Sequence, residues 1–246
     1  MTRHAPAPSR QLAADAGPTS AARRLSEALL VAVTALLATA GCAEGQGQSA
    51  GGVVPQNPDT VARLADQARV KGDTTAPIRV MEVSDFQCPY CRQYFEQTYP
   101  TIDSLYIERG LVEYVWLAFP NPNHQKAWPA IEAAFCAGAA GSFWPMHDRL
   151  FARQGEWSNA EDPVSAFVGY AGSLGIDEES FRSCMVQDRA ASLIIRDYDA
   201  VTRGGVKGTP FFVIADSLSF QGAQPVSKFR SVLDDVLRAK GIEPPQ

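Results

Sequence analysis

The chain is poor in the groups that several common activities need. Of its 246 residues only three are histidine, His4, His124 and His147, and none stands at ligand spacing from another. A second Cys-x-x-Cys is missing as well, so the usual zinc donor set is incomplete and no metal is expected. No dense Lys/Arg block occurs and the net charge is −5, which argues against nucleic acid as a partner. No internal repeat is present, which removes solenoids. The longest apolar stretch, Ala28 to Ala40, falls short of the roughly 20 residues that a membrane-spanning helix requires. What remains, at 46% apolar and 20% charged, is a globular composition with enough core for one domain and an elaboration upon it.

The apolar stretch follows Arg23 and Arg24, the pattern of a signal peptide over residues 1–41. It ends in Thr39-Ala40-Gly41-Cys42, which resembles the lipobox of bacterial lipoproteins except that Thr39 replaces the usual Leu. Two fates stay open at Cys42, lipidation to an anchor or plain cleavage. Either places the protein outside the cytoplasm, in the periplasm or cell envelope; the alternative is a frayed hydrophobic tail on a cytosolic protein. The Gly/Gln/Ser-rich run that follows predicts a flexible tether over 42–67.

Five cysteines are present, and setting Cys42 aside leaves four. Cys88 and Cys91 lie one helical turn apart, close enough to bond. Closing so short a ring stabilises a fold by about 2 kcal/mol at most, so a bond there serves chemistry better than it serves stapling. A bridge between Cys136 and Cys184 would close a far longer loop and stabilise by roughly 4 kcal/mol. The alternative for that pair is two separate thiols packed as small hydrophobes.

Hydrophobic patterning predicts a buried strand over Pro77 to Phe86, then a helix opening at Cys88-Pro89-Tyr90-Cys91 and kinked at Pro100. A second strand is predicted over Leu111 to Phe119, a helical region from His124 to Arg203, strands at Phe211–Ala215 and Ser219–Gly222, and an amphipathic helix from Val226 to Lys240. The order is β-α-β, helical insert, β-β-α. The corresponding division is 68–123 and 205–246 for the two halves of one α/β domain, with 124–204 inserted between them.

Placing Cys88 at a helix N-terminus favours its thiolate, because free N–H groups and the helix dipole face the sulfur. Cys88 is therefore the expected nucleophile. Cys91, a turn further in, is the expected resolving thiol. His124 and His147 are read as capping or packing residues, and Trp128, Trp144 and Trp157 as core or groove lining.

Three motifs in order resemble the DsbA family: Ser84-Asp85-Phe86-Gln87-Cys88-Pro89-Tyr90-Cys91, Phe143-Trp144-Pro145-Met146-His147-Asp148, and Gly205-Val206-Lys207-Gly208-Thr209-Pro210-Phe211-Phe212. The resemblance implies a thioredoxin fold, a central mixed sheet flanked by helices, with an inserted α-helical domain. It implies thiol–disulfide exchange with no cofactor beyond the redox-active disulfide itself. It also implies that Glu82 lies beneath the cysteines, as a proton relay to Cys91 or as a satisfied structural carboxylate. Thr209-Pro210 falls where the family has a cis-proline that faces the cysteines and helps bind extended polypeptide.

Implied partners are reduced or unfolded exported polypeptides and a quinone-linked membrane thiol oxidase, with the protein itself a monomer. Pro89-Tyr90 lacks the histidine found between the cysteines of the most oxidising members, so the thiolate is expected to have one stabiliser fewer. Disulfide introduction is favoured; isomerase or reductase activity is the alternative, and a non-catalytic peptide-binding or chaperone-like module is the alternative of another class. A cytosolic glutaredoxin shares Cys-Pro-Tyr-Cys but has no place for the insert.

Overall fold

A computed structural model describes residues 52–246. The signal segment, Cys42 and the first part of the expected tether lie outside the described residues. The rest of that tether, residues 52–67, is part of the folded body, which corrects the sequence reading. Val54 is fully buried and its N–H donates to Ser180 Oγ at 3.1 Å. Asn57 caps a helix, α1 (Pro58–Ala68), through its side chain, and Pro58 stands in the first turn where its missing N–H is harmless. Val61 and Ala65 then bury one face of α1. The Gly/Gln/Ser composition upstream masked an Asn-Pro-Asp helix start and a short amphipathic period.

The sheet has five strands in the order β1-β3-β2-β4-β5. These are β1 (Val70–Lys71), β2 (Ile78–Ser84), β3 (Val112–Ala118), β4 (Phe211–Ile214) and β5 (Leu218–Gln221). β2 runs parallel to β3, and the remaining neighbours pair antiparallel. Such a parallel pair needs a crossover. It is made by α2 (Pro89–Gln97), α3 (Tyr99–Ile102) and a wide helical turn at Asp103–Ile107. The break at Thr98 falls where Pro100 predicts it, since the ring withdraws a helical N–H and crowds the preceding turn.

Between β3 and β4 run six helices: α4 (Ala127–Ala139), α5 (Phe143–Ala152), α6 (Gln154–Trp157), α7 (Pro163–Ser173), α8 (Glu178–Val186) and α9 (Ala191–Arg203). α4 is buried nearly all round, and its alanines let α1, α5, α7, α8 and α9 pack against it. A Cβ at Gly138 would meet Phe143 Cβ at 3.3 Å and Ala65 Cα at 3.4 Å, so glycine leaves room there for α5 and α1 to lie close to α4. Cys136 of α4 and Cys184 of α8 are joined in a disulfide with Cα atoms 6.0 Å apart. Phe229, Leu233 and Leu237 of the last helix, α10 (Val226–Ala239), close the core beside α3 and β2.

Two large apolar cores result, besides a small cluster of Val83, Phe119 and Val201. One holds the insert together with Phe86, Cys88, Cys91 and Trp116; the other packs Tyr94, Ile102, Tyr114 and Phe212 against α10. Both cysteines belong to the first core, while Tyr94 on the next turn of α2 belongs to the second.

Candidate active site

The turn from β2 into α2 is organised by Asp85, whose carboxylate is fully buried. Oδ1 accepts the Gln87 N–H at 2.7 Å, and Oδ2 accepts the Asn121 N–H at 3.0 Å and meets His124 Nδ1 at 2.7 Å. The Asp85 carbonyl accepts the Cys88 N–H at 3.0 Å. From the insert, Gln154 Nε2 donates to the carbonyls of Phe86 and Cys88 at 2.6 and 3.0 Å. A backbone turn thus held from several chain segments fixes where Cys88 Sγ sits.

Cys88 is the N-cap of α2 and Pro89 begins the helix, as its fixed φ favours. Both cysteines are free thiols. Cys88 retains 4% exposure, Cys91 none, and Tyr90 between them stands 60% exposed. The Cys88 thiol is lowered to about 6, first by a hydrogen bond from the Cys91 thiol, then by the Thr209 side chain and the backbone N–H groups of Cys91 and Tyr90, with burial opposing them. Cys91 moves the other way, raised by burial and then by its proximity to the Cys88 sulfur and Glu82. One thiol is prepared to ionise and its neighbour to stay protonated.

Thr209 and Pro210 are joined by a cis peptide bond, and the protonated Cys88 thiol donates to the Thr209 carbonyl at 3.5 Å. Pro210 is buried. Glu82 lies on the central strand between Trp116 of β3 and Phe212 of β4, and is 1% exposed. Its Oε2 accepts from Tyr114 Oη at 2.7 Å, and Tyr114 Oη lies 3.0 Å from Tyr94 Oη. Its Oε1 has no hydrogen-bond partner among the described residues. Burial raises its carboxyl above the usual carboxylate range, with only partial relief from His147 and Tyr114. Burial thus favours the protonated form of Glu82, whose charge when ionised is felt at Cys91.

The structure therefore brings Cys88, Cys91, Pro89, Tyr90, Glu82, Thr209 and Pro210 into one region, with Cys136 and Cys184 apart in the insert. Glu132, Cys136 and Cys184 approach one another closely enough to suggest a metal site, but the sulfurs are bonded to each other and offer no thiolates. His147 is buried within α5 among Phe86, Phe95, Trp144 and Phe151, a packing position. Trp157 is core and Trp128 lines a cleft beside His124. His124 is the exception to its reading: it caps no helix and instead pairs with Asp85. Sequence reasoning also missed Gln154 and Tyr114. The available signal was a lone carboxylate, Asp85, closing an apolar strand, because a buried charge must have partners.

A family model described as thioredoxin matches residues 65–235. The Na(+)/H(+) antiporter NhaA 1 of Salinispora arenicola is 38% identical over 150 residues, which are 61% of this chain and 22% of the antiporter. A Rickettsia conorii protein provisionally named a protein-disulfide oxidoreductase is 25% identical over 155 residues, 62% of this chain and 54% of that one. The chain thus spans about a fifth of the first relative and about half of the second. No helix among the described residues is long and apolar enough to cross a membrane. The crystal structure of Wolbachia pipientis alpha-DsbA1 superposes with a TM-score of 0.63 at 20% identity, over 70% of this chain and 91% of that one, an agreement of fold.

Proposed function

Since this chain belongs to the thioredoxin family, with a DsbA-like fold, we propose that it is an extracytoplasmic thiol–disulfide oxidoreductase that introduces disulfides into exported polypeptides through Cys88 and Cys91. The observation that carries the reading is the geometry of the pair: Cys88 caps α2 against the carbonyl of the cis Thr209-Pro210 peptide and Cys91 lies buried one turn deeper, an arrangement that lowers the first thiol and raises the second. A low Cys88 value stabilises the dithiol relative to the disulfide, so the oxidised pair tends to take electrons from a client.

In the forward reaction a client thiolate attacks Cys88 Sγ of the Cys88–Cys91 disulfide. A mixed disulfide forms and Cys91 leaves, taking a proton that the Glu82 carboxyl is placed to supply. A second client thiolate then attacks the client sulfur of the mixed bond, closing the client disulfide and expelling Cys88 as its stabilised thiolate. Two electrons pass from client to enzyme. A quinone-linked membrane thiol oxidase is the partner class suited to remove them again. The signal pattern at residues 1–41 supports export, with an acyl anchor if Cys42 is lipidated.

The deciding measurement is the equilibrium of the Cys88/Cys91 pair in a glutathione series, run beside turnover of a reduced, unfolded test protein. An oxidising position, with turnover abolished in Cys88→Ser, is the expected result. A strongly reducing position transfers the reading to a reductase, and peptide binding that ignores both thiols transfers it to a binding module.

A further inference from the structure

The loop from Pro120 to Lys126 is laced onto the cysteine-bearing turn at three points. The Asn121 N–H and His124 Nδ1 both meet Asp85 Oδ2, at 3.0 and 2.7 Å, and the Lys126 N–H donates to Gln87 Oε1 at 2.7 Å. The imidazole is consequently fixed on the carboxylate three positions before Cys88 in the chain, one that has no exposure to water. Its outer side borders a cleft of about 360 Å³ lined by Pro120, Pro122, Gln125, Trp128 and Tyr198, and the side chain keeps 22% exposure. Protons therefore have access to a ring whose position is set by hydrogen bonds.

Resting on the oxidoreductase reading above, we propose that His124 is a positioning residue for the reaction: as an imidazolium clasped by Asp85 it cancels the buried carboxylate and adds positive potential at the Cys88 thiolate. The electrostatic reason is direct. Asp85 alone would oppose a second negative charge at Cys88, and a cation paired with that carboxylate removes the repulsion. The groups facing the ring are Asp85 from the turn after β2, Cys88 at the head of α2 and Tyr198 from α9. The Asp85 hydrogen bond leads in raising the His124 value, burial lowers it, and the Cys88 charge adds to the rise. The imidazolium thus persists to higher pH than a free histidine, and its support of the thiolate fades as pH climbs through that raised value.

The test uses the full chain and three variants. His124→Gln retains a hydrogen-bonding group for Asp85 without the charge, His124→Arg restores the charge, and Cys88→Ser supplies the background for alkylation. The Cys88 midpoint in His124→Gln should rise by about one unit, taking the thiolate at pH 7 from about 90% to about half. The glutathione equilibrium should shift toward the reducing side about fivefold, equivalent to about 20 mV, and His124→Arg should recover most of both changes. A midpoint and equilibrium in His124→Gln equal to wild type overturn the inference.

If that variant does not fold, the wild-type chain decides the matter by NMR titration of the His124 ring. By reciprocity its midpoint must be higher in the dithiol form than in the disulfide form, and equal midpoints overturn the inference. A wild-type pair that fails to exchange with glutathione sinks the oxidoreductase reading itself. Exchange that proceeds normally and is indifferent to His124 sinks only this step.

Discussion

Replacing Cys91 by alanine isolates the largest influence on Cys88. With a midpoint of about 6, the wild-type thiol is about 90% ionised at pH 7, whereas an ordinary cysteine near 8.5 is about 3% ionised. The hydrogen bond from the Cys91 thiol leads the contributions that produce this difference, ahead of the Thr209 side chain and two backbone N–H groups. Removing it should raise the midpoint by one to two units, leaving about half to a tenth of the molecules as thiolate at pH 7. The assay is the pH dependence of iodoacetamide alkylation, cross-checked by thiolate absorbance near 240 nm. Cys88→Ser serves as the blank. Alanine also removes the resolving thiol, so the same variant should accumulate mixed disulfides with reduced clients under oxidising conditions. A midpoint that stays within about 0.3 units of wild type refutes the assignment of that hydrogen bond as the main cause.

Because the Cys88 value is depressed in the folded dithiol, its stabilising contribution is present above the unfolded value and lost as pH falls toward about 6. The dithiol form should therefore gain stability over the disulfide form between about pH 6 and 8, which paired urea melts will show or deny. Glu132 is raised to about 7, chiefly by burial, so it weakens the fold as pH climbs from its unfolded value toward 7. Glu132→Gln should leave stability unchanged near pH 4.5 and increase it by about 2–3 kcal/mol at pH 8; equal melts at pH 8 refute this. Gln154→Ala removes both hydrogen bonds from the insert to the cysteine turn and should lower stability by about 1–2 kcal/mol in urea denaturation. Unaltered stability together with unaltered alkylation of Cys88 rules out the proposed bracing.

The strands around the site were legible because each is a short apolar run bounded by turn residues, and β2 leads straight into Cys88-Pro89. The helical insert was legible as a region without strand character. Residues 52–67 were misread because composition dominated the judgement there, while Asn57 capping and the Val61/Ala65 face depend on single positions. Non-local partners were the true gap. Gln154 reaches Phe86 across 68 residues, His124 reaches Asp85 across 39, and Tyr114 reaches Glu82 across 32. Each contact exists only once a crossover or insert has closed, so no local spacing announces it.

That gap bears on how the cysteine pair acquires its character. The two residues between Cys88 and Cys91 are a proline and an exposed tyrosine, neither of which carries a positive charge to the sulfur. Judged by Pro89-Tyr90 alone, the thiolate has a stabiliser missing. The groups that act on it come instead from Cys91 within the helix and from Thr209 before β4, and, on the inference above, from His124 in the loop after β3. The first two lie on a thioredoxin scaffold, and the third is the segment by which the insert begins. If His124 acts as inferred, moving that loop moves charge relative to Cys88 without altering the Cys-x-x-Cys sequence, and His124→Gln then shifts the potential with no change in the helix that carries the two thiols.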